Sequence, residues 1–167
     1  MSISEAMTKM IQYYARESGQ KSHHDINHFQ KVWAFAKTIG ELEGLDAYTQ
    51  ETLELAAIVH DIACPLCREK YGDADGPHQE QEGPSMARTF YEDMGLPEVQ
   101  LERICFLVGH HHTLDQVDGL DYQVLLEADF LVNADESQAR RDQIMRFRER
   151  VYRTKTGISL LNDIYGL

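Results

Sequence analysis

A histidine at position 28, the adjacent pair His60-Asp61 and an aspartate at position 129 are the residues of this chain best suited to hold a metal ion. Each falls on an apolar stripe of helical spacing. Leu53, Ala56, Ala57 and His60 stand at i, i+3, i+4 and i+7; Val32 and Phe35 follow His28 by four and seven; Asp129 lies four after Leu125 and three before Val132. An inward carboxylate without a partner is costly, so it calls for a cation. Two imidazoles and two carboxylates form a mixed donor set suited to Mn²⁺, Fe²⁺, Co²⁺, Ni²⁺ or Zn²⁺, with positions left open for water and substrate. Mg²⁺, which favours oxygen ligands, completes the divalent candidates. Taken singly, each residue also has an ordinary reading as a hydrogen-bonded core histidine or an aspartate capping a neighbouring helix.

Helices must deliver these groups, because apolar residues recur at helical spacing almost throughout and no short alternating β-branched runs occur. The pattern predicts an all-α, single-domain helical bundle over 1–167. Ser2-x-x-Glu5 is a capping-box signature for a first helix ending near Gly19. Further helices are expected over about 27–43, 46–60, 84–94, a segment opened by Pro97 that carries Leu101, Ile104 and Val108, 124–133, 136–153 and 158–165. The segment 68–83, rich in Gly, Asp and Glu without apolar periodicity, reads as a long surface loop.

The order His28, then His60-Asp61, then Asp129 resembles the HD-domain superfamily of metal-dependent phosphohydrolases. The resemblance covers about 27–133 and rests on His28-Phe29-Gln30-Lys31-Val32, Ala57-Ile58-Val59-His60-Asp61-Ile62 and Glu127-Ala128-Asp129-Phe130-Leu131. It implies that His28, His60, Asp61 and Asp129 coordinate one divalent ion inside a helical bundle. His78 looks like the extra histidine of members that hold two metals. His110-His111-His112 stands where binuclear members carry one or two histidines, and Asp61 bridges the ions in those proteins. Of the triplet, His111 continues the Ile104 and Val108 stripe and should face the interior, with His110 and His112 flanking it.

Composition narrows the remaining classes. A formal charge of −12 repels phosphate backbones, so a nucleic-acid polymer is not an expected partner. No apolar run is long enough to span a membrane, and the N-terminal residues lack a signal-peptide pattern, which predicts a cytoplasmic protein. Cys64, Cys67 and Cys105 suggest no disulfide framework, and the Cys64–Cys67 pair has no second pair with which to build a zinc site. A basic C-terminal segment carries Arg146, Arg148, Arg150 and Arg153. Most of it should be a solvated face, while Arg146, Arg150 or Arg153 could hold a substrate phosphate through the guanidinium fork.

Three functions fit this reading. The first is phosphohydrolysis of a nucleotide or other small phosphate ester by a metal-activated water, with Asp61 and His111 as the catalytic side chains and one or two ions per chain. Glu80, Glu82, Glu127 and His111 are the candidate acids for the leaving group. The second is a di-iron oxygenase, which needs a full six-ligand set that includes His78 and one of the histidine triplet. The third is a metal-stabilised binding or regulatory module without turnover. A homodimer is compatible with all three.

Overall fold

The computed structural model describes residues 2–167, and among them the chain forms nine α-helices and no strand. These are α1 (Ile3–Glu17), α2 (Ser22–Leu42), α3 (Ala47–Val59), α4 (Cys64–Tyr71), α5 (Gly76–Tyr91), α6 (Glu98–Val108), α7 (Leu120–Glu136), α8 (Arg141–Val151) and α9 (Lys155–Tyr165), with a 3₁₀ turn at Gly19–Lys21. The capping box of α1 is formed: Glu5 N–H donates to Ser2 Oγ, and Ser2 N–H donates to Glu5 Oε2. Asp46 caps α3 through the N–H groups of Tyr48 and Thr49.

α3 is the central helix. Every residue from Thr52 to Val59 is buried, and α1, α2, α6 and α7 pack around it. A fully enclosed side chain such as Leu53 contributes about 1.5–3 kcal/mol from removal of apolar surface from water. α2 runs between α3 and α7 and buries the stripe His28, Phe29, Val32, Ala36 and Ile39. Buried tyrosine hydroxyls tie separate pieces together. Tyr91 donates to the Leu55 carbonyl, Tyr152 to that of Glu127, and Tyr122 to those of His110 and Thr113.

The segment expected as a loop is mostly helical. α4 closes at Gly72, whose φ of +77° is the left-handed conformation glycine adopts without strain. Only residues 72–75 intervene before α5, which begins with Pro77 in its first turn. Pro84, expected to open a helix, lies inside α5 instead. α5 and α6 pack closely because Gly83 and Gly109 lack side chains. A Cβ on Gly83 would lie 2.7 Å from Val108, and one on Gly109 would lie 2.9 Å from Pro84. The C-terminal region also divides differently, because α7 continues through Glu136 and the chain then turns at Gln138, with φ +52°, before α8.

Candidate metal centre

Four elements meet at one point in the bundle. α2 contributes His28, the turn that follows α3 contributes His60 and Asp61, α7 contributes Asp129, and the turn that follows α6 contributes His111. His28 Nε2 lies 3.1 Å from His60 Nε2, 3.2 Å from Asp61 Oδ2 and 3.2 Å from Asp129 Oδ1. His60 Nε2 lies 3.5 Å from Asp61 Oδ2 and 3.4 Å from Asp129 Oδ1. Ligands about 2.0–2.2 Å from a common ion stand about 2.8–3.6 Å apart, from right-angled to tetrahedral arrangements. All five separations fall in that window.

The outer ring nitrogens determine what the inner ones can do. His60 Nδ1 lies 2.7 Å from the Ala57 carbonyl and His111 Nδ1 lies 2.8 Å from that of Val108. A carbonyl only accepts, so Nδ1 carries the proton in both rings and a neutral ring presents the Nε2 lone pair inward. His28 Nδ1 meets both carboxylate oxygens of Glu136, at 3.0 and 3.1 Å. That is the carboxylate–histidine arrangement that orients a metal ligand. Asp129 Oδ1 is buried and faces only the inner nitrogens of His28 and His60, with no well-directed hydrogen-bond donor among the described residues, a position suited to a cation. The donor set therefore fits a divalent ion.

The electrostatics agree. Burial alone would lower the pKa of His28, but the carboxylates of Asp129, Asp61 and Glu136 hold it well above the ordinary histidine value. Burial would likewise raise Asp61 and Asp129. Imidazoles more than reverse this, chiefly His60, His111 and His28 at Asp61 and His28 and His60 at Asp129, leaving both carboxyls well below the usual range. The pocket attracts positive charge at its centre.

Asp61 addresses two groups at once. Its Oδ2 faces His28 and His60, and its Oδ1 lies 3.3 Å from His111 Nε2. Asp61, His111 and His112 offer ligand atoms within 4.8 Å of one another, a second candidate cluster beside the first. The other expected participants lie elsewhere. His110 stacks on Phe106, with ring centroids 4.0 Å apart, and its Nδ1 donates to the Phe106 carbonyl, so His112 replaces it beside His111. His78 is on α5, where it stacks on Tyr71 at 3.8 Å and its Nδ1 lies 2.7 Å from Asp73. Neither cluster of candidate ligand atoms includes His78, the histidine that the six-ligand di-iron reading calls for.

The acidic candidates have structural partners. Glu127 is fully buried and accepts from the Arg153 and Thr154 N–H groups just ahead of α9. Glu82 binds Lys70 and Tyr71, and Glu80 accepts from His112 N–H and Thr113 Oγ. Gln79 Oε1, also from α5, lies 3.1 Å from His112 Nε2. Sequence reasoning missed Gln79 and also Glu136. The signal for Glu136 was its position one helical face beyond Asp129, at i+7.

Two cavities open onto the centre. One, of about 300 Å³, is lined by His28, Asp61, Glu136, Asn133, Lys21 and Arg68. The other, of about 140 Å³, is lined by His111, Asp129 and Asn133 together with Leu114, Phe130 and Phe147. Neither contains Arg146, Arg150 or Arg153. Arg146 pairs with Asp142, and Arg153 folds back on the carbonyls of Glu149, Arg150 and Tyr152. Cys64 lines the larger cavity, where burial and the nearby Asp61 carboxylate push its thiol pKa well up, away from thiolate chemistry. A cavity of about 400 Å³ between α1 and α5 carries no His, Cys or carboxylate, so size alone does not mark the chemistry.

A family model for the HD domain matches residues 25–147, which include all four predicted ligands. The chain belongs to the HD-domain family. Its fold is similar to the crystal structure of a predicted HD-superfamily hydrolase from an uncultured Thermotogales bacterium. The two superpose with a TM-score of 0.71 at 22% identity, over 98% of this chain and 84% of the other. No curated protein matches the sequence. Among the described residues no helix is long and apolar enough to cross a membrane.

Proposed function

We propose that this HD-domain protein is a metal-dependent phosphohydrolase acting on a small phosphate ester, with His28, His60, Asp61 and Asp129 as the ligands of one divalent ion. The observation that carries the reading is the convergence of two Nε2 atoms and two carboxylates at 3.1–3.5 Å, with each imidazole held from behind through Nδ1. A divalent ion held there supplies Lewis acidity toward a phosphoryl oxygen and acidifies the water it carries.

The chain's own residues do the rest. Asp61 and His111 act together, His111 as the proton-handling group and Asp61 as the ionised carboxylate beside it: Nδ1–H of His111 is committed to Val108, which leaves Nε2, beside Asp61 Oδ1, to take up or release a proton. The Asp61 carboxylate outweighs burial and raises the pKa of His111, which favours uptake there. Leu114, Phe130 and Phe147 make one side of the centre apolar, suited to excluding water and packing the alcohol part of the substrate.

The test pairs elemental analysis of protein purified without chelator with a screen of nucleoside mono-, di- and triphosphates under Mn²⁺, Co²⁺ and Ni²⁺. The reading expects phosphate release that chelation stops. It also expects His60→Ala and Asp61→Ala to lose both metal and activity while keeping their helical signal. Full metal occupancy in both variants contradicts the ligand assignment, and release indifferent to chelation contradicts the chemistry.

A further inference from the structure

The larger cavity at the metal centre holds two cations that neither the sequence motifs nor the family match point to. Arg68 lies on α4, seven residues after Asp61, and Lys21 ends the 3₁₀ turn ahead of α2. Three carboxylates share the cavity, and each is engaged. Asp61 faces the imidazoles, Glu136 faces His28, and Asp25 accepts from Arg68 Nη2 at 2.5 Å. Asp25 is itself buried, so it anchors one N–H of the guanidinium. That contact uses one of five N–H donors, and Arg68 makes no other side-chain hydrogen bond among the described residues. The Lys21 ammonium makes no ion pair among the described residues, although the chain carries a net charge of −12.

A role for Arg68 in docking α4 would account for the Asp25 contact. It leaves unexplained why an unpaired lysine from a different element lines the same cavity as Asp61. A phosphomonoester dianion presents three terminal oxygens and two charges, whereas a diester presents two oxygens and one charge. An oriented guanidinium and a point-charge ammonium suit the former.

We propose that Arg68 and Lys21 form the phosphate-binding arm of the metal centre and select phosphomonoesters over diesters, with Asp25 as the residue that positions Arg68. The inference rests on the phosphohydrolase reading above.

The experiment measures inorganic phosphate binding to the metal-loaded protein by calorimetry, alongside turnover of p-nitrophenyl phosphate and bis(p-nitrophenyl) phosphate. Lys21→Met and Arg68→Gln should each weaken phosphate binding by about tenfold or more, the scale of one charge-assisted hydrogen bond. KM for the monoester should rise by a similar factor, with kcat changed by less than about threefold and metal content unchanged. The preference for monoester over diester should shrink in both variants, Arg68→Lys should recover part of the loss, and Asp25→Asn should reproduce part of it. Unchanged phosphate affinity in Lys21→Met and Arg68→Gln overturns the proposal. Lys21 is exposed and unpaired, so Lys21→Met decides the matter if Arg68→Gln fails to fold. Residue-dependent phosphate binding without hydrolysis of any ester would sink the hydrolase reading and keep the subsite; hydrolysis that is indifferent to both residues would do the reverse.

Discussion

Glu136 holds no metal in this account, yet its removal should weaken metal binding. Both of its carboxylate oxygens stand within hydrogen-bond reach of His28 Nδ1, at 3.0 and 3.1 Å, and the side chains of His28 and Glu136 are only 5% and 18% exposed. The carboxylate orients the ring and raises the basicity of Nε2. Partners of this kind are worth about 10–100-fold in metal affinity, or about 1.4–2.8 kcal/mol. Glu136→Gln keeps an acceptor but loses the charge, so it should fall near tenfold; Glu136→Ala loses both and should approach a hundredfold. His24 approaches the same carboxylate only at 3.6 Å and is half exposed, so His24→Ala should have a much smaller effect. Competition against a chromophoric chelator measures the affinities, with circular dichroism as the folding control. Affinities within about twofold of the parent for both Glu136 variants would refute the orienting role.

Three further outcomes follow from the same geometry. His28 carries a raised pKa in the metal-free protein and must lose its proton to become a ligand, so calorimetry in buffers of different ionisation enthalpy should show about one proton released per ion at pH 7, and affinity should rise with pH; no release would contradict the assignment. The folded-state pKa values of Asp61 and Asp129 are depressed, so their contribution to metal-free stability is present above the unfolded value near 4 and is lost as pH falls through the folded values; acid titration followed by circular dichroism should show it, and an Asp129→Asn variant should lack that part of the acid transition. If a second ion binds beside Asp61, His111→Ala should weaken it most, His112→Ala less, and His78→Ala or His110→Ala not at all, as read by metal stoichiometry at saturating metal.

The parts of the site that were legible in the sequence are those carried on apolar helical stripes. His28, His60 and Asp129 interrupt such stripes with groups that a core does not accept without a reason, and the helices that carry them bury those stripes, Phe35 only in part. The region from α4 to α5 was illegible because its helices owe little to apolar periodicity. They are punctuated instead by Gly72 and Pro77 and held by polar contacts such as Lys70 to Glu82 and the Tyr71–His78 stack. That error displaced His78 into an imagined loop and hid Gln79 and Arg68. The arginines of α8 and Arg153 beyond it are a different case: their charge is plain in the sequence but helix orientation is not, and the partners are Asp142 for Arg146, Asn162 for Arg148 and backbone carbonyls for Arg153. Asn133 and Glu136 are polar residues near a helix end, a common pattern that becomes informative only once α7 is seen to extend to Glu136.

The most direct test of the central claim is a crystal structure of the metal-loaded protein with anomalous data at the absorption edge of the bound element. An anomalous peak is expected about 2.0–2.2 Å from Nε2 of His28, Nε2 of His60 and one carboxylate oxygen each of Asp61 and Asp129, the range of first-row metal–ligand bonds. An ion bound elsewhere, or a centre still empty at saturating metal with His28 and His60 merely bonded to the two aspartates, would contradict it.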